Sequence, residues 1–170
     1  MNEGLSVPSF ENTVSLGMTA EKAKIYESCE EKVSLLCEGE DDVLAKMASV
    51  VGVLHNAMAD FYWTGFYRVV GDQLVIGPYQ GTVGCLRIPF GRGVCGTAAQ
   101  ERKTQVVVDV HEFPGHIACD ENSRSEIVLP VFNGSDELIA VLDIDSTSRG
   151  AFCEVDKLAL ERLLAGVFPR

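Results

Sequence analysis

The sequence has no run of lysine or arginine residues, and its overall charge is strongly acidic. Lysine and arginine together number 14 against 25 aspartate and glutamate residues, so the formal net charge is −11. Nucleic acids and anionic membrane surfaces attract proteins through clustered positive charge. We therefore expect neither a nucleic acid nor a membrane as a partner.

Long hydrophobic segments are also missing. The apolar runs are much shorter than the roughly 20 residues that a membrane-spanning helix needs. The first residues, MNEGLSVPSFEN, lack the basic and apolar regions of a signal peptide. We therefore expect a cytoplasmic protein with one domain over residues 19–170, preceded by an extension, residues 1–18, that carries no motif.

The six cysteines do not follow a metal-binding pattern, because no C-x-x-C or C-x-x-H spacing occurs. A disulfide framework is not expected in the cytosol, where ordinary thiols stay reduced. The cysteines therefore serve either packing or chemistry, and no metal site is predicted.

Amphipathic helices are predicted before residue 60 and at the end of the chain. Thr19 can cap the first helix, whose apolar stripe includes Cys29 and Cys37. Asp41 and Asp42 open a second helix with an apolar face. Residues 154–167 form the last helix, and Cys153, just before it, is interpreted as a packing residue.

Between these helices the pattern changes to strands. Residues 61–70 and 74–79 are rich in aromatic and β-branched residues and form one hairpin. Residues 125–132 and 137–145 form another, in which Asn133-Gly134 supplies the positive backbone angles of a tight turn. With a short helix at 94–103 and a strand at 104–110, the order predicts an α+β fold with an antiparallel sheet.

Three cysteines lie in glycine-rich or loop segments, where a side chain is free to react: Cys85, Cys95 and Cys119. Cys95 lies where a helix begins, so the helix dipole should favour its thiolate. Cys119 follows His116 by three residues, and an imidazolium could lower its pKa as well. His111 and His116 are equally compatible with solvated loop positions, and the residues alone do not rank the two cysteines.

Two acidic residues occupy an apolar strand pattern. Asp143 and Asp145 are two apart, so their side chains share a strand face with Ile139 and Val141. A buried carboxylate is costly unless it meets a cation or takes up a proton, which makes both candidate site residues. The alternative is that the strand leaves the core at Asp143. Glu126, on the neighbouring strand, could converge on the same place.

Trp63, Gly65 and Tyr67 share one face of their strand. Glycine leaves a gap between two aromatic walls, and such a gap suits a small ligand. The alternative is that these aromatic residues belong to the core.

The segment from Gly91 to Gly96 matches the dinucleotide-binding pattern G-x-G-x-x-G, with Asp109 further on as a candidate ribose contact. That pattern requires a preceding buried parallel strand, which is not predicted here. We therefore interpret these glycines as presenting backbone N–H groups to a small anion such as a carboxylate.

Several of these segments together resemble the free methionine-R-sulfoxide reductases, which are GAF-domain enzymes. The matching segments are WTGFY (63–67), GPYQGTVGCLRI (77–88), GRGVCG (91–96), HIACDENSRSEIVLPV (116–131) and LDIDS (142–146). The resemblance implies a GAF-like fold. It also implies that Cys119 attacks the substrate and that Cys85 resolves it, with Cys95 as an auxiliary or alternative resolving thiol.

The same resemblance implies the roles of the remaining candidates. Glu126, Asp143 and Asp145 would bind the substrate ammonium and supply a proton, while Trp63 and Tyr67 would line the pocket for the S-methyl end. The implied substrate is free methionine-R-sulfoxide, the implied reductant is thioredoxin-like, and no bound cofactor is needed. A homodimer is compatible with the sequence. Two alternatives are a GAF-type sensor of a small regulator and a non-catalytic redox switch formed by Cys85 and Cys119.

Overall fold

The computed structural model of the protein describes residues 10–115 and 119–169. The helices are α1 (Phe10–Leu36), α2 (Val43–Ala57), α3 (Gly93–Glu101) and α4 (Glu154–Val167). The strands are β1 (Trp63–Val70), β2 (Gln73–Gln80), β3 (Arg87–Pro89), β4 (Gln105–Val107), β5 (Ser125–Phe132) and β6 (Leu138–Ser146). Within the described residues, no helix is both long and apolar enough to cross a membrane.

The six strands form one sheet in the order β3-β2-β1-β6-β5-β4, and every neighbouring pair is antiparallel. Two hairpins, β1–β2 and β5–β6, make up its centre, because β1 pairs with β6. This arrangement confirms the predicted α+β fold with an antiparallel sheet. The sequence pattern missed β3, which is only three residues long.

The two faces of the sheet are covered by different elements, because side chains alternate along each strand. One face carries Phe66, Leu129 and Ile144, which pack with apolar residues of α1, α2 and α4. The opposite face carries Tyr67 and Val141, which pack with α3 and the segment around β3. The candidate site residues lie on this second face.

The helix boundaries agree with the sequence prediction except at the start. Asp42 caps α2 by accepting a hydrogen bond from the backbone N–H of Ala45 (2.8 Å), and α4 spans the predicted residues. The prediction that Thr19 caps the first helix is wrong, since α1 begins at Phe10. Residues 10–18 contain no proline, so nothing in the backbone stops the helix from extending towards the N-terminus.

Three smaller predictions are also wrong. In the β5–β6 connection the positive φ belongs to Asp136 (58°) rather than to Asn133 or Gly134, because the loop is longer than a two-residue turn. Ile139 packs on the helical face, since the β5–β6 register shifts near Phe132. Cys153 is exposed at the N-cap of α4 and is not a packing residue.

Candidate active site

The candidate residues form two rows that cross three adjacent strands. Trp63 of β1 pairs with Asp145 of β6, which in turn pairs with Glu126 of β5. In the next row, Gly65 pairs with Asp143. Because directly opposed residues point to the same face of a sheet, the three carboxyl groups and the indole share one surface.

A cavity covers this surface and contains about 520 Å³ of space free of protein atoms, part of it open to solvent. Seven of the eight predicted site residues line it: Trp63, Tyr67, Cys95, Cys119, Glu126, Asp143 and Asp145. The eighth, Cys85, is bonded to Cys119. Residues of α3 and of the loops that carry the two bonded cysteines form the rest of its wall.

The three carboxyl groups are held in a setting that favours their protonated forms. Burial raises the pKa of Asp143 to about 6. Burial raises the pKa of Glu126 and of Asp145 well above the ordinary range, and the nearby Asp143 charge adds to both shifts. Among the described residues, no group donates a hydrogen bond to Oδ1 of Asp143, which is buried. The cluster can therefore hold a proton near neutral pH and offer oxygen atoms to a cation.

Cys95 belongs to this cluster, with Sγ of Cys95 and carboxylate oxygens of Glu126 and Asp143 all within 4.8 Å of one another. The thiol is buried and donates to Oε1 of Glu126 at 3.9 Å. Burial, followed by the charges of Asp143 and Glu126, raises the pKa of Cys95 well above its ordinary value. The expectation that the start of α3 favours a Cys95 thiolate is therefore wrong, because burial and acidic neighbours outweigh the helix dipole.

A disulfide joins Cys85 and Cys119, whose Cα atoms are 5.4 Å apart. This is the pair implied by the family resemblance. Cys119 lines the cavity, whereas Cys85 lies between β2 and β3, close to the exposed side chains of Val83 and Leu86. Cys119 thus lines the same cavity as the carboxyl cluster, and Cys85 is partly buried in the loop between β2 and β3.

The aromatic residues form a stacked wall. The Trp63 ring stacks between Tyr67 (5.8 Å between centroids) and Tyr79 (5.4 Å). A Cβ atom at Gly65 would lie only 2.4 Å from the Trp63 ring, so the space left by this glycine is filled by Trp63 itself. The predicted gap for a ligand at Gly65 is therefore wrong, although Trp63 and Tyr67 do line the cavity.

The glycine-rich segment ends at the first turn of α3, and Gly93 and Val94 line the cavity. It follows β3, a short antiparallel strand, which agrees with the prediction against a dinucleotide site. Gly91 donates its backbone N–H to the carbonyl of Gly96 (2.8 Å), so that amide already has a partner. The N-cap residue Arg92 makes no side-chain cap hydrogen bond, and the first residues of α3 line the cavity.

His111 lies outside the cavity, whereas two further polar residues line it. His111 is exposed in a short 3₁₀ turn beside Asp109, as expected for a solvated loop histidine. His116 lies outside the described residues. Sequence reasoning missed Asp120 and Ser123, which line the cavity next to the candidate residues. The position of Asp120 directly after Cys119 was the available signal.

The sequence of this chain is similar to those of a known domain family and of curated proteins. The GAF domain family matches residues 37–167. The free methionine-R-sulfoxide reductase of Escherichia coli (strain K12) is 45% identical over 144 residues, which are 85% of this chain and 87% of the relative.

Two solved structures agree closely with this fold. The free methionine-R-sulfoxide reductase of Neisseria meningitidis, in complex with its substrate, has a TM-score of 0.82 and 42% identity, covering 86% of this chain and 87% of that chain. The reduced form of the fRMsr of Staphylococcus aureus has a TM-score of 0.81 and 43% identity, covering 84% and 92%.

Proposed function

Because this chain belongs to the GAF-domain family of free methionine-R-sulfoxide reductases, we propose that it reduces free methionine-R-sulfoxide to methionine. The observation that carries the proposal is the shared cavity: a cysteine of the Cys85–Cys119 disulfide lines it together with Glu126, Asp143 and Asp145. A thiol that can be oxidised and acids that can be protonated are the two chemical requirements of sulfoxide reduction.

The cavity supplies a partner for each part of the free amino acid. The carboxyl groups of Glu126, Asp143 and Asp145 bind the ammonium group, and the unpartnered Oδ1 of Asp143 is a ready acceptor. The first-turn amides of α3 bind the carboxylate. Trp63 and Tyr67 contact the S-methyl end. Methionine sulfoxide within a peptide has neither charged group free, so selectivity for the free amino acid follows.

In the reduced enzyme the Cys119 thiolate attacks the electrophilic sulfoxide, and a carboxylic acid protonates the sulfoxide oxygen. The S–O bond of the substrate breaks, an S–O bond to Cys119 forms, and methionine leaves. Two electrons have then moved from Cys119 to the substrate sulfur, and Cys119 is a sulfenic acid. The raised pKa values of Glu126 and Asp145 support a proton donor that is neutral at physiological pH.

Cys85 completes the first half of the cycle. Its thiolate attacks the Cys119 sulfenic sulfur, the disulfide forms, and the hydroxyl leaves as water after taking up a proton. A thioredoxin-like dithiol in the cytosol then returns two electrons by thiol–disulfide exchange and becomes oxidised itself. Cys95 remains an auxiliary or alternative resolving thiol, although the raised pKa of its buried thiol disfavours attack.

A GAF-type sensor and a non-catalytic redox switch are the competing functions. A sensor site has no need for a disulfide at its wall, and a switch has no need for a protonated carboxyl cluster beside the reactive sulfur. Turnover separates all three functions, because only an enzyme consumes reduced nicotinamide continuously when each sulfoxide epimer and a thioredoxin system are supplied.

The decisive experiment compares cysteine variants in single and multiple turnover. Cys119→Ser should abolish methionine release from free methionine-R-sulfoxide. Cys85→Ser should release about one equivalent of methionine without a reductant. When thioredoxin is supplied, this variant should not turn over further. The exposed Cys153→Ser is the matched control and should behave as the wild type. Loss of the first turnover only in Cys95→Ser would overturn the assignment, and equal activity on peptide-bound sulfoxide would overturn the substrate.

A further inference from the structure

The carboxylate of Asp120, the residue after Cys119, joins three separate segments of the chain. Its Oδ2 atom accepts hydrogen bonds from the Thr82 hydroxyl (2.5 Å) and the Tyr62 hydroxyl (3.1 Å). Its Oδ1 atom accepts one from the backbone N–H of Asn122 (2.8 Å). We refer to Asp120, Thr82 and Tyr62 as the Asp120 clamp.

The clamp connects the two loops that carry the bonded cysteines to the rigid sheet. Thr82 precedes Cys85 by three residues, and its carbonyl accepts the indole N–H of Trp63 at 3.0 Å. Tyr62 donates its backbone N–H to the carbonyl of Asp145 (2.9 Å), which holds it at the start of β1. The Cys85 loop is therefore held both by the aromatic wall and by the residue next to Cys119.

The acceptor in this clamp is a charged carboxylate. Hydrogen bonds from the Thr82 hydroxyl and the Asn122 amide lower the pKa of Asp120 below its ordinary value. Hydrogen bonds to an ionised acceptor are stronger than those between neutral groups. Asp120 is thus suited to hold its partners at neutral pH, in contrast to the protonatable carboxyl groups deeper in the cavity.

Cys85 and Cys119 are 34 residues apart in the chain, and in the reduced enzyme no covalent bond keeps them together. A disulfide needs Cα atoms within about 4.4–6.8 Å, so free loops would have to find this geometry by diffusion. Non-covalent contacts that keep the loops adjacent raise the effective concentration of the second thiol. The hydrogen bonds of the clamp are made by oxygen and nitrogen atoms, and none of them involves either cysteine sulfur.

We propose that Asp120 is a positioning residue that keeps Cys85 within reach of Cys119 during the cycle, so that disulfide formation outruns overoxidation. This inference rests on the proposed role of Cys119 as the oxidised thiol. It assigns to Asp120 the resolving step, in which the Cys85–Cys119 bond forms and the Cys119 sulfenic oxygen leaves as water, and no part in sulfoxide reduction itself.

The test uses hydrogen peroxide as the oxidant, because it needs no sulfoxide substrate: the Cys119 thiolate takes one peroxide oxygen and becomes the sulfenic acid, and the other oxygen leaves as hydroxide, which solvent protonates to water. Reduced protein is mixed with peroxide, disulfide formation is followed by rapid quenching and mass spectrometry, and a cyclic 1,3-diketone traps the sulfenic acid. Asp120→Asn removes the charge and one acceptor oxygen. Thr82→Val removes the hydroxyl at constant shape, and Thr82→Ser retains it.

We expect disulfide formation in Asp120→Asn and Thr82→Val to slow by about tenfold or more, with a matching rise in trapped sulfenic acid and in Cys119 sulfinic acid. Thr82→Ser should keep the wild-type rate. Asp109→Asn is the matched control, because Asp109 is also a loop carboxylate that accepts a backbone N–H, but it caps the 3₁₀ turn outside the cavity. Its rate should not change.

The proposal would be overturned if both Asp120→Asn and Thr82→Val formed the disulfide at the wild-type rate. Equal slowing of disulfide formation in Asp109→Asn would overturn it as well. If Asp120→Asn does not fold, the Thr82→Val and Thr82→Ser pair still decides the question. The peroxide assay remains informative if methionine sulfoxide proves not to be a substrate, so failure of the clamp and failure of the proposed function give different results.

Discussion

Glu126 of β5 and Asp145 of β6 are directly opposed in the sheet, and their carboxyl groups share the buried face with Asp143. Like charges directly opposed on a sheet destabilise it. The folded protein lowers this cost by keeping part of the cluster protonated, and it thereby obtains the neutral acid that the proposed reaction needs. The same arrangement makes the stability of the protein depend on pH.

We expect the cluster to make the protein less stable as the pH rises above 4. The Asp143 carboxyl has an ordinary pKa of 3.8 and a folded-state pKa of about 6. A pKa that is raised on folding contributes stability that is fully present below 3.8 and is lost as the pH rises through 6. A shift of about two units corresponds to roughly 3 kcal/mol, with Glu126 and Asp145 acting in the same direction.

Urea denaturation between pH 4.5 and pH 8 measures this effect. It compares the wild type with Asp143→Asn and with Asp72→Asn, the control in an exposed loop. The free energy of unfolding of the wild type should fall with pH relative to Asp143→Asn, while Asp72→Asn should run parallel to the wild type. A wild-type curve that rises with pH relative to Asp143→Asn would show that the cluster is ionised in the folded state.

The free thiols should differ strongly in reactivity. In the oxidised protein Cys153 is exposed, whereas Cys29 and Cys95 are buried and their pKa values are raised by burial. Iodoacetamide at pH 8 should modify Cys153 in the native protein and modify Cys29 and Cys95 at least about a hundredfold more slowly, because they require local opening. Mass spectrometry of the alkylated peptides measures this order. Rapid labelling of Cys95 in the native protein would contradict its raised pKa and would support the expectation that it is a thiolate nucleophile.

Gly65 is required by the position of Trp63. A Cβ atom at residue 65 would meet the Trp63 ring at 2.4 Å and the Tyr79 Cβ at 2.5 Å. Gly65→Ala should therefore displace the indole, lower the free energy of unfolding by about 1–3 kcal/mol and raise KM for the sulfoxide more than it lowers kcat.

The protein has a single tryptophan, so its intrinsic fluorescence reports the displacement directly. Gly52→Ala in α2 is the control, because among the described residues no heavy atom beyond its chain neighbours and the adjacent helix backbone lies within 4 Å of its added Cβ. It should leave the fluorescence unchanged and stabilise the helix by about 0.5–1 kcal/mol. An unshifted emission spectrum in Gly65→Ala would contradict the assigned packing.

The features that the sequence predicted well depend on local periodicity. The two-residue alternation placed Asp143 and Asp145 on one face, and the hairpin pattern put Glu126 on the adjacent strand. The pairing of Cys85 with Cys119 was implied by the family resemblance, because the local properties of Cys95 and Cys119 did not separate them.

The features that the sequence did not predict depend on contacts between distant residues. The pKa of Cys95 is set by burial and by Asp143 and Glu126 on other strands, which outweigh the local effect of the helix start. The Asp120–Thr82 hydrogen bond joins residues 38 positions apart. The space at Gly65 is filled by the ring of Trp63, and no strand pattern specifies which way that ring turns.

A part-buried ion pair joins the first and last helices, which pack on the opposite face of the sheet from the candidate active site. The carboxylate of Asp156 is fully buried and accepts hydrogen bonds from the Lys22 ammonium (2.9 Å), the Tyr26 hydroxyl (2.8 Å) and the Cys153 backbone N–H (2.8 Å). Asp156→Ala should lower the free energy of unfolding by up to about 3–5 kcal/mol, because the part-buried Lys22 ammonium loses its counter-ion and keeps only the Ala151 carbonyl, while two other donors lose their acceptor.

The same two helices carry an exposed pair, Arg162 and Glu30 (2.7 Å), which serves as the internal control. Glu30→Gln should cost far less than Asp156→Ala, since water replaces the lost partner of an exposed ion. Replacing both partners, in Lys22→Met with Asp156→Leu, should recover much of the loss, because the buried Asp156 charge and its part-buried partner are then removed together. Thermal and urea denaturation measure all three variants. If Asp156→Ala cost no more than Glu30→Gln, the attachment of α1 to α4 would rest on apolar packing alone.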